Sequence, residues 1–170
     1  MKSSRNSVRT LTVLALLIAM SIVFSRVLSI STGFVRFNLG SLPVLLAALL
    51  FGPGAGFAVG AVADMIGGVL AGYAINPLIT LGAGSIGLVA GLAWQKLDSL
   101  RVGLRLQISV LLGHFVGSMV INSLALRIFY GYAWSVLLAR IPNAIVLAAV
   151  NTVLLRILLE NRSLMNLTKK

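Results

Sequence analysis

Asp64 is the residue whose type and position most directly suggest chemistry. It lies in an apolar stretch, with no basic residue within one helical turn on either side. An ionised carboxylate is costly at membrane depth, so such a residue usually faces a cavity, a partner or an interface. Asp64 could bind a polar group of a substrate or pair with an arginine from another helix. A structural hydrogen bond to a neighbouring helix is an equally good explanation.

Four arginines form a second candidate site, because each lies near the end of an apolar segment on what we predict to be the outer side of a membrane. They are Arg26, Arg36, Arg127 and Arg140. The planar guanidinium group matches carboxylates well, so together these side chains could attract an anion. Arg36 and Arg140 are the stronger candidates, since Asn38 and Asn143 lie close to them in sequence. For any single arginine, extension to the lipid headgroups is the simpler explanation.

Aromatic and amide side chains near the same side could recognise a ring system. Tyr73 and Asn76 lie in a loop that also carries Gly72 and can therefore approach a ligand closely, and Asn122 lies within a later apolar segment. Most of the other aromatic residues are expected to form an interfacial belt, as is common in membrane proteins.

The composition excludes several classes of protein. With three acidic residues, one histidine and no cysteine, the chain lacks the ligands for a metal cluster and the carboxylates for a two-acid hydrolase. It also lacks a phosphate-binding Gly-Lys-Ser/Thr loop, so it is not expected to be an ATPase or to hold a cofactor. The formal net charge of +11 could indicate nucleic-acid binding, but the basic residues lie singly at segment ends, which favours membrane orientation.

The elements that must position these residues are membrane helices. The chain is 59% hydrophobic and 10% charged, with a mean hydropathy of +1.05, whereas a soluble domain carries roughly 25% charged residues. Apolar runs predict an all-α integral membrane protein in which residues 1–170 form a single transmembrane domain. Its six helices are expected at about 9–29, 39–52, 54–72, 78–95, 104–128 and 134–158. We interpret the first as a retained span and not as a cleaved signal peptide.

The second predicted helix is short and ends at Gly52-Pro53-Gly54, a sequence typical of a tight turn between antiparallel helices. A five-helix protein that buries this hairpin is the alternative. With six spans, ten basic residues fall on the side of the termini and four on the other. The positive-inside tendency then predicts cytoplasmic N- and C-termini.

Small residues recur at the spacing of one helix face. The pairs are Gly56-x-x-x-Gly60, Gly87-x-x-x-Gly91 and Ala15-x-x-x-Ala19. Such pairs let membrane helices approach closely, and packing within the molecule is the simplest interpretation of the glycine pairs.

Several motifs occur in an order that resembles one family. They are a Leu-Pro step at 42–43, Phe-Gly-Pro-x-x-Gly at 51–56, Gly-x-x-x-Asp at 60–64, Gly-His-Phe-Val-Gly-Ser at 113–118 and Arg-Ile-Pro-Asn at 140–143. This pattern resembles the substrate-binding S component of energy-coupling factor (ECF) vitamin transporters, most closely the folate family. The loop after the third helix reads Tyr73-Ala74-Ile75-Asn76-Pro77, where folate-type proteins commonly have a Tyr-Phe-Pro-Gly-Phe-Thr-like sequence.

The resemblance implies a multi-pass protein of a bacterial-type plasma membrane with six helices and both termini inside. It implies that a vitamin is captured at the outer face and that ATP-driven uptake requires a membrane T component and two ATPase subunits. Ala15 and Ala19 match the family's Ala-x-x-x-Ala motif for docking onto the T component, and residues 30–38 occupy the position of its lid.

The resulting hypothesis is that Arg26, Arg36 and Arg140 hold the carboxylates of folate, while amide and aromatic residues contact its ring. The proposed substrate-binding set is Arg26, Arg36, Asn38, Asp64, Tyr73, Asn76, Asn122, Arg140 and Asn143. An S component for another vitamin or precursor is the first alternative. A small intramembrane enzyme using Asp64 and a channel or assembly scaffold are the others.

Overall fold

Helices make up nearly all of the computed structural model, which describes residues 2–31 and 36–160. In chain order the helices are α1 (Lys2–Arg26), α2 (Ser41–Phe51), α3 (Pro53–Leu70), α4 (Pro77–Lys96), α5 (Val102–Gly113), a π-helical segment (His114–Ile121), α6 (Asn122–Tyr130), α7 (Trp134–Leu138) and α8 (Arg140–Glu160). The expectation of an all-helical protein is therefore confirmed for the described part of the chain.

Five helical units within these ranges are long and apolar enough to cross a membrane. They are Ser7–Arg26, Pro53–Leu70, Pro77–Lys96, Val102–Tyr130 and Trp134–Glu160. The fourth unit combines α5, the π-helical segment and α6, and the fifth combines α7 and α8. The sixth predicted segment corresponds to α2, which has only 11 residues. Because an α-helix rises 1.5 Å per residue, α2 is about 16 Å long and covers only about half of a bilayer core of ~30 Å.

The turn between α2 and α3 follows from a single residue. Gly52 has φ +99°, a conformation that side-chain-bearing residues rarely adopt, and Pro53 then begins α3. The two helices therefore fold back on each other, as the Gly52-Pro53-Gly54 sequence predicts.

Glycines hold α3 against α4. The backbone of Gly56 packs on that of Gly87, and Gly60 packs on the main chain of Ala83; a Cβ atom on Gly87 would lie 2.5 Å from the carbonyl carbon of Gly56. Gly91 similarly packs on Pro53. Both glycine pairs therefore serve packing within the molecule, as the sequence suggested, and the contact fixes the depth at which α3 residues face α4.

The buried side chains of the bundle centre on α2, which is enclosed by its neighbours. Leu45 and Ala47 of α2 have no exposed surface, and Val59, Leu106 and Leu155 join them in the same apolar cluster. Many large apolar side chains on α1, α6 and α8 are instead exposed, for example Leu11, Ile128 and Ile157 at 60% or more. This pattern suits a bundle surrounded by lipid.

A short hairpin joins α1 to α2. Strand β1 (Ile30–Ser31) pairs antiparallel with β2 (Arg36–Phe37), with Ile30 opposite Phe37. The predicted lid at residues 30–38 is thus described at its two ends, whereas residues 32–35 and the side chain of Arg36 lie outside the described residues. After the hairpin, the chain is tied back to α1, because the Ser21 hydroxyl donates to the Gly40 carbonyl at 2.7 Å.

Candidate functional site

A cavity of about 610 Å³ lies between the helices. Side chains from α1, α2, α3, α4, the π-helical segment, α6, α7 and α8 line it. The polar members are Ser21, Ser25, Arg26, Asn38, Ser41, Asp64, Tyr73, Asn76, His114, Ser118, Asn122, Tyr130, Tyr132, Arg140 and Asn143. A volume of this size falls within the roughly 300–1,000 Å³ typical of small-molecule sites.

Arg26 lies at the end of α1 and forms one wall of the cavity. Its guanidinium carbon lies 5.7 Å from the centre of the Tyr73 ring, and its Nε atom is buried without a hydrogen-bond partner among the described residues. Gly67 of α3 leaves room for it, since a Cβ there would come within 3.1 Å of Nε. Arg26 lines the cavity, and the guanidinium group has further N–H donors with which it can bind an anionic ligand.

Arg140 reaches the same cavity from the start of α8. Its Nη1 atom lies 3.4 Å from the Ser123 hydroxyl, which is long for a hydrogen bond. Asn143, one turn further along α8, also lines the cavity. Arg26 and Arg140 therefore line the same cavity, although they lie 114 positions apart in sequence.

Asp64 faces the cavity from α3 and is bound by α4. The Thr80 hydroxyl donates to its Oδ2 atom at 2.8 Å. The structural hydrogen bond considered from the sequence is therefore present, and the described residues contain no ion pair between Asp64 and an arginine. Its other oxygen remains able to accept a hydrogen bond from a ligand.

Asn38 and Asn76, which precede α2 and α4, also form hydrogen bonds with nearby main-chain atoms. Asn76 caps α4 by accepting from the main-chain nitrogens of Leu78 and Ile79, at 3.0 and 3.3 Å. Asn38 accepts from the main-chain nitrogen of Gly40 at 3.0 Å. In both residues the amide nitrogen can still donate to a ligand, because only the oxygen is used by these contacts.

Asn122 begins α6 and packs closely on α4. A Cβ on Gly82 would overlap its amide group, and its Oδ1 atom is buried without a hydrogen-bond partner among the described residues. Asn122 is thus fixed in position by packing, and the residue lines the cavity.

Three of the residues singled out from the sequence do not line the cavity. Arg127 is not among the lining residues; it donates to the Tyr132 carbonyl at 3.0 Å, and its guanidinium carbon lies 5.7 Å from the centre of the Trp134 ring. Its guanidinium is instead used by the loop after α6. Ala15 and Ala19 lie on the exposed face of α1, away from the bundle.

His114, Asn151 and Ser41 are a polar cluster that the sequence analysis missed. The Asn151 amide nitrogen lies 2.9 Å from the Ser41 hydroxyl and 3.1 Å from His114 Nε2. His114 is 3% exposed and Asn151 has no exposed surface. The only signal in the sequence was the presence of polar residues in the middle of apolar runs, which is the same signal that identified Asp64.

The cavity therefore combines two guanidinium groups, one carboxylate, four amides and several hydroxyls around a space suited to a small molecule. No group of three or more His, Cys, Asp or Glu residues in the described ranges could hold a metal ion. The arrangement can bind a ligand that is both anionic and rich in hydrogen-bonding atoms.

Apolar helices arranged around such a cavity define a membrane protein that binds a small molecule within its bundle. A family model for the S component of ECF-type riboflavin transporters matches residues 5–163, so the chain belongs to this family. The family consists of transporter subunits and not of enzymes, which agrees with the expectation that the chain is not an enzyme.

Individual relatives and solved structures show further similarity. The folate transporter FolT of Clostridium novyi (strain NT) is 41% identical over 54 residues, which is 32% of this chain and 31% of that relative. The aligned part thus spans only about a third of the curated relative. A crystal structure of FolT bound with folic acid has 25% identity and a TM-score of 0.68, covering 85% of this chain and 89% of the other.

The structure of the S component of a bacterial ECF transporter has 20% identity and a TM-score of 0.72, covering 96% of this chain and 99% of the other. At this identity the similarity concerns the fold alone.

Proposed function

We propose that this S component captures folate at the outer face of a bacterial plasma membrane and delivers it for ATP-driven uptake. In this proposal all six helical units, including the short α2, form the transmembrane bundle, and both termini face the cytoplasm. The excess of basic residues on that side supports this orientation. A membrane T component and two ATPase subunits supply the energy.

The charge of the cavity is the observation that carries the choice of folate. Arg26 and Arg140 bring two positive charges to its lining, whereas Asp64 brings one negative charge. The glutamate tail of folate carries two carboxylates at neutral pH, and guanidinium groups bind carboxylates through paired hydrogen bonds. Riboflavin has no ionised group, so it would leave both cations without an anionic partner.

The remaining polar residues suit the pterin ring of folate. That ring presents an amino group beside a ring N–H, and the free oxygen of the Asp64 carboxylate is a matching acceptor. Asn38, Tyr73, Asn76, Asn122 and Asn143 supply further hydrogen bonds and contacts along the length of the ligand. Arg36 adds a third cation from the lid, in keeping with its position beside Asn38.

Riboflavin is the second candidate, because the matching family model describes riboflavin transporters. Its isoalloxazine ring could use the same amide and aromatic side chains. The two candidates differ in charge, so they also differ in their dependence on the cavity arginines.

Binding of labelled folate to the detergent-purified chain without ATP tests the proposal. Riboflavin, thiamine, biotin and pantothenate serve as competitors. Arg26→Gln and Arg140→Gln should each weaken folate binding about tenfold or more, because a hydrogen bond to a charged group contributes about 1.5–3 kcal/mol. Arg156→Gln is the matched control, since Arg156 is exposed on α8 and pairs with Glu160 at 3.2 Å.

Folate binding that survives both cavity substitutions would contradict the assigned role of the arginines. Binding of labelled riboflavin in the absence of folate binding, with the same affinity in Arg140→Gln and the unchanged protein, would favour the second candidate. Binding of none of these vitamins would refute both.

A further inference from the structure

The His114 cluster lies deeper in the bundle than Arg140, and two of its members, His114 and Ser41, line the cavity. Asn151 follows Arg140 by 11 residues on α8, so the two lie about 16 Å apart along the helix. Ser41 begins α2 about 16 Å from the Gly52 turn, which places it near mid-membrane. The hydrogen bonds that join Asn151 to Ser41 and His114 therefore close the cavity at its inner end.

The geometry of this cluster links the protonation of the His114 ring to the orientation of the Asn151 amide. An amide nitrogen donates hydrogen bonds and does not accept them. The Asn151 nitrogen has two hydrogens, and its two partners at 2.9 and 3.1 Å are the Ser41 hydroxyl and His114 Nε2. With the amide in this orientation Nε2 accepts and the ring proton resides on Nδ1, whereas the opposite orientation of the amide would reverse these roles. The described residues provide no hydrogen-bond partner for this Nδ1–H group.

The π-helical segment explains why His114 faces the cavity on the same side as residues that lie nearer the mouth of the cavity. The lining residues of this unit recur every four positions, at His114, Ser118, Asn122, Leu126 and Tyr130. In an α-helix each step of four turns the side chain by ~40°, because 3.6 residues complete one turn. Within the π-helical segment the turn is wider, with i→i+5 hydrogen bonds, so a step of four residues there rotates the side chain in the opposite sense. The two rotations offset each other along the unit. The five residues consequently stay on one face.

We propose that His114 is a specificity-determining residue whose Nδ1–H donates a hydrogen bond to an acceptor atom on the ring system of the bound vitamin. Asn151 and Ser41 act as positioning residues that orient the imidazole. This inference rests on the proposed function and deepens it, since it assigns the ring to the inner end of the cavity and the carboxylates to Arg26 and Arg140.

Selective ¹⁵N-histidine labelling gives a direct test, because His114 is the only histidine of the chain. The protein should carry an affinity tag without histidine. We expect Nδ1 to be protonated and Nε2 unprotonated in the spectrum of the free protein. Folate should shift the Nδ1 resonance, whereas p-aminobenzoylglutamate, which lacks the pterin ring, should leave it unchanged. An unchanged Nδ1 signal at saturating folate, or a proton on Nε2, would overturn the proposal.

Two substitutions provide an independent measurement of affinity. The amide nitrogen of Asn can replace Nδ1 as donor, whereas the amide of Gln reaches the position of Nε2 and the contact with Asn151. His114→Gln should therefore weaken folate binding at least tenfold and leave p-aminobenzoylglutamate binding unchanged, and His114→Asn should recover part of the loss. An equal loss for both ligands in His114→Gln would indicate a merely structural role and overturn the inference. Failure of the unchanged protein to bind folate would instead refute the proposed function, before any variant is compared.

Discussion

Gly68 illustrates how a single residue can set the space available to a ligand. It is a buried residue of α3 that lines the cavity, and a Cβ atom at this position would meet nothing within 4 Å. A larger side chain here would therefore extend into the cavity without displacing its neighbours. We expect Gly68→Leu to weaken folate binding at least tenfold while leaving the melting temperature of the detergent-purified protein nearly unchanged.

Gly103→Leu is the matched control for this substitution. Gly103 is exposed on α5, and a Cβ atom there would likewise have no neighbour within 4 Å, but the residue lies outside the cavity lining. Unaltered folate affinity in Gly68→Leu, with the fold intact, would mean that the ligand does not occupy this part of the cavity.

The sequence reveals which polar residues lie singly in apolar surroundings, but it does not reveal their hydrogen-bond partners. Asp64, Asn122 and Arg140 were identified because an ionisable or amide group inside a membrane is costly and needs a reason. That the Thr80 hydroxyl donates to Asp64 depends on the distance between two separate helices, α3 and α4. Such distances have no signal in a single sequence.

The contact between α3 and α4 is the clearest case of packing without side chains. Any Cβ on Gly87 would lie 2.5–2.7 Å from the backbone of Gly56, so the two helices would have to separate. We expect Gly87→Ala to destabilise the protein by about 1–3 kcal/mol, the usual cost of overpacking. A lower melting temperature in detergent would show this loss, and folate binding should weaken with it because Asp64 and Thr80 lie on the separated helices.

Gly103→Ala serves as the control, since it makes the same substitution in a helix with open space around the residue. Equal melting temperatures for Gly87→Ala and Gly103→Ala would show that the α3–α4 contact contributes little to stability.

At the level of helices, hydropathy predicted which segments are helical but not their internal geometry. Each of the six predicted segments overlaps a helical unit, because apolar runs bounded by glycine, proline and charge are strong signals. The first helix begins at Lys2 and not near residue 9, since the polar N-terminal residues are also helical. The π-helical segment within Val102–Tyr130 was not predicted, because a shift of backbone hydrogen bonds leaves the hydrophobic pattern nearly unchanged.

For the whole molecule, the exposed face of α1 is where we expect the transporter to assemble. Ala15 and Ala19 are exposed one turn apart, so larger residues there would not disturb the bundle. We predict that the double substitution Ala15→Leu and Ala19→Leu leaves folate binding by the isolated chain unchanged but abolishes copurification with the T component and uptake into cells. Small residues allow close helix contact, and two leucines would prevent it.

Ala149→Leu is the control for added bulk, because Ala149 is likewise exposed but lies on α8. Normal assembly and uptake by the α1 double variant would contradict the docking role, whereas loss of folate binding would indicate damage to the bundle itself.

The shortness of α2 also has an electrical consequence. In the proposed orientation α2 occupies the inner half of the bilayer core, so we expect water to enter the outer half along the cavity and to keep the mouth at nearly the potential of the external solution. Moving one charge across the whole membrane costs about 2.3 kcal/mol per 100 mV. In the proposed binding mode, carboxylates held at the mouth by Arg26 and Arg140 would cross little of that potential, and the part of the ligand that reaches mid-membrane would be uncharged. We therefore expect capture of the vitamin to be nearly independent of membrane voltage, even though its substrate is an anion and the cell interior is negative.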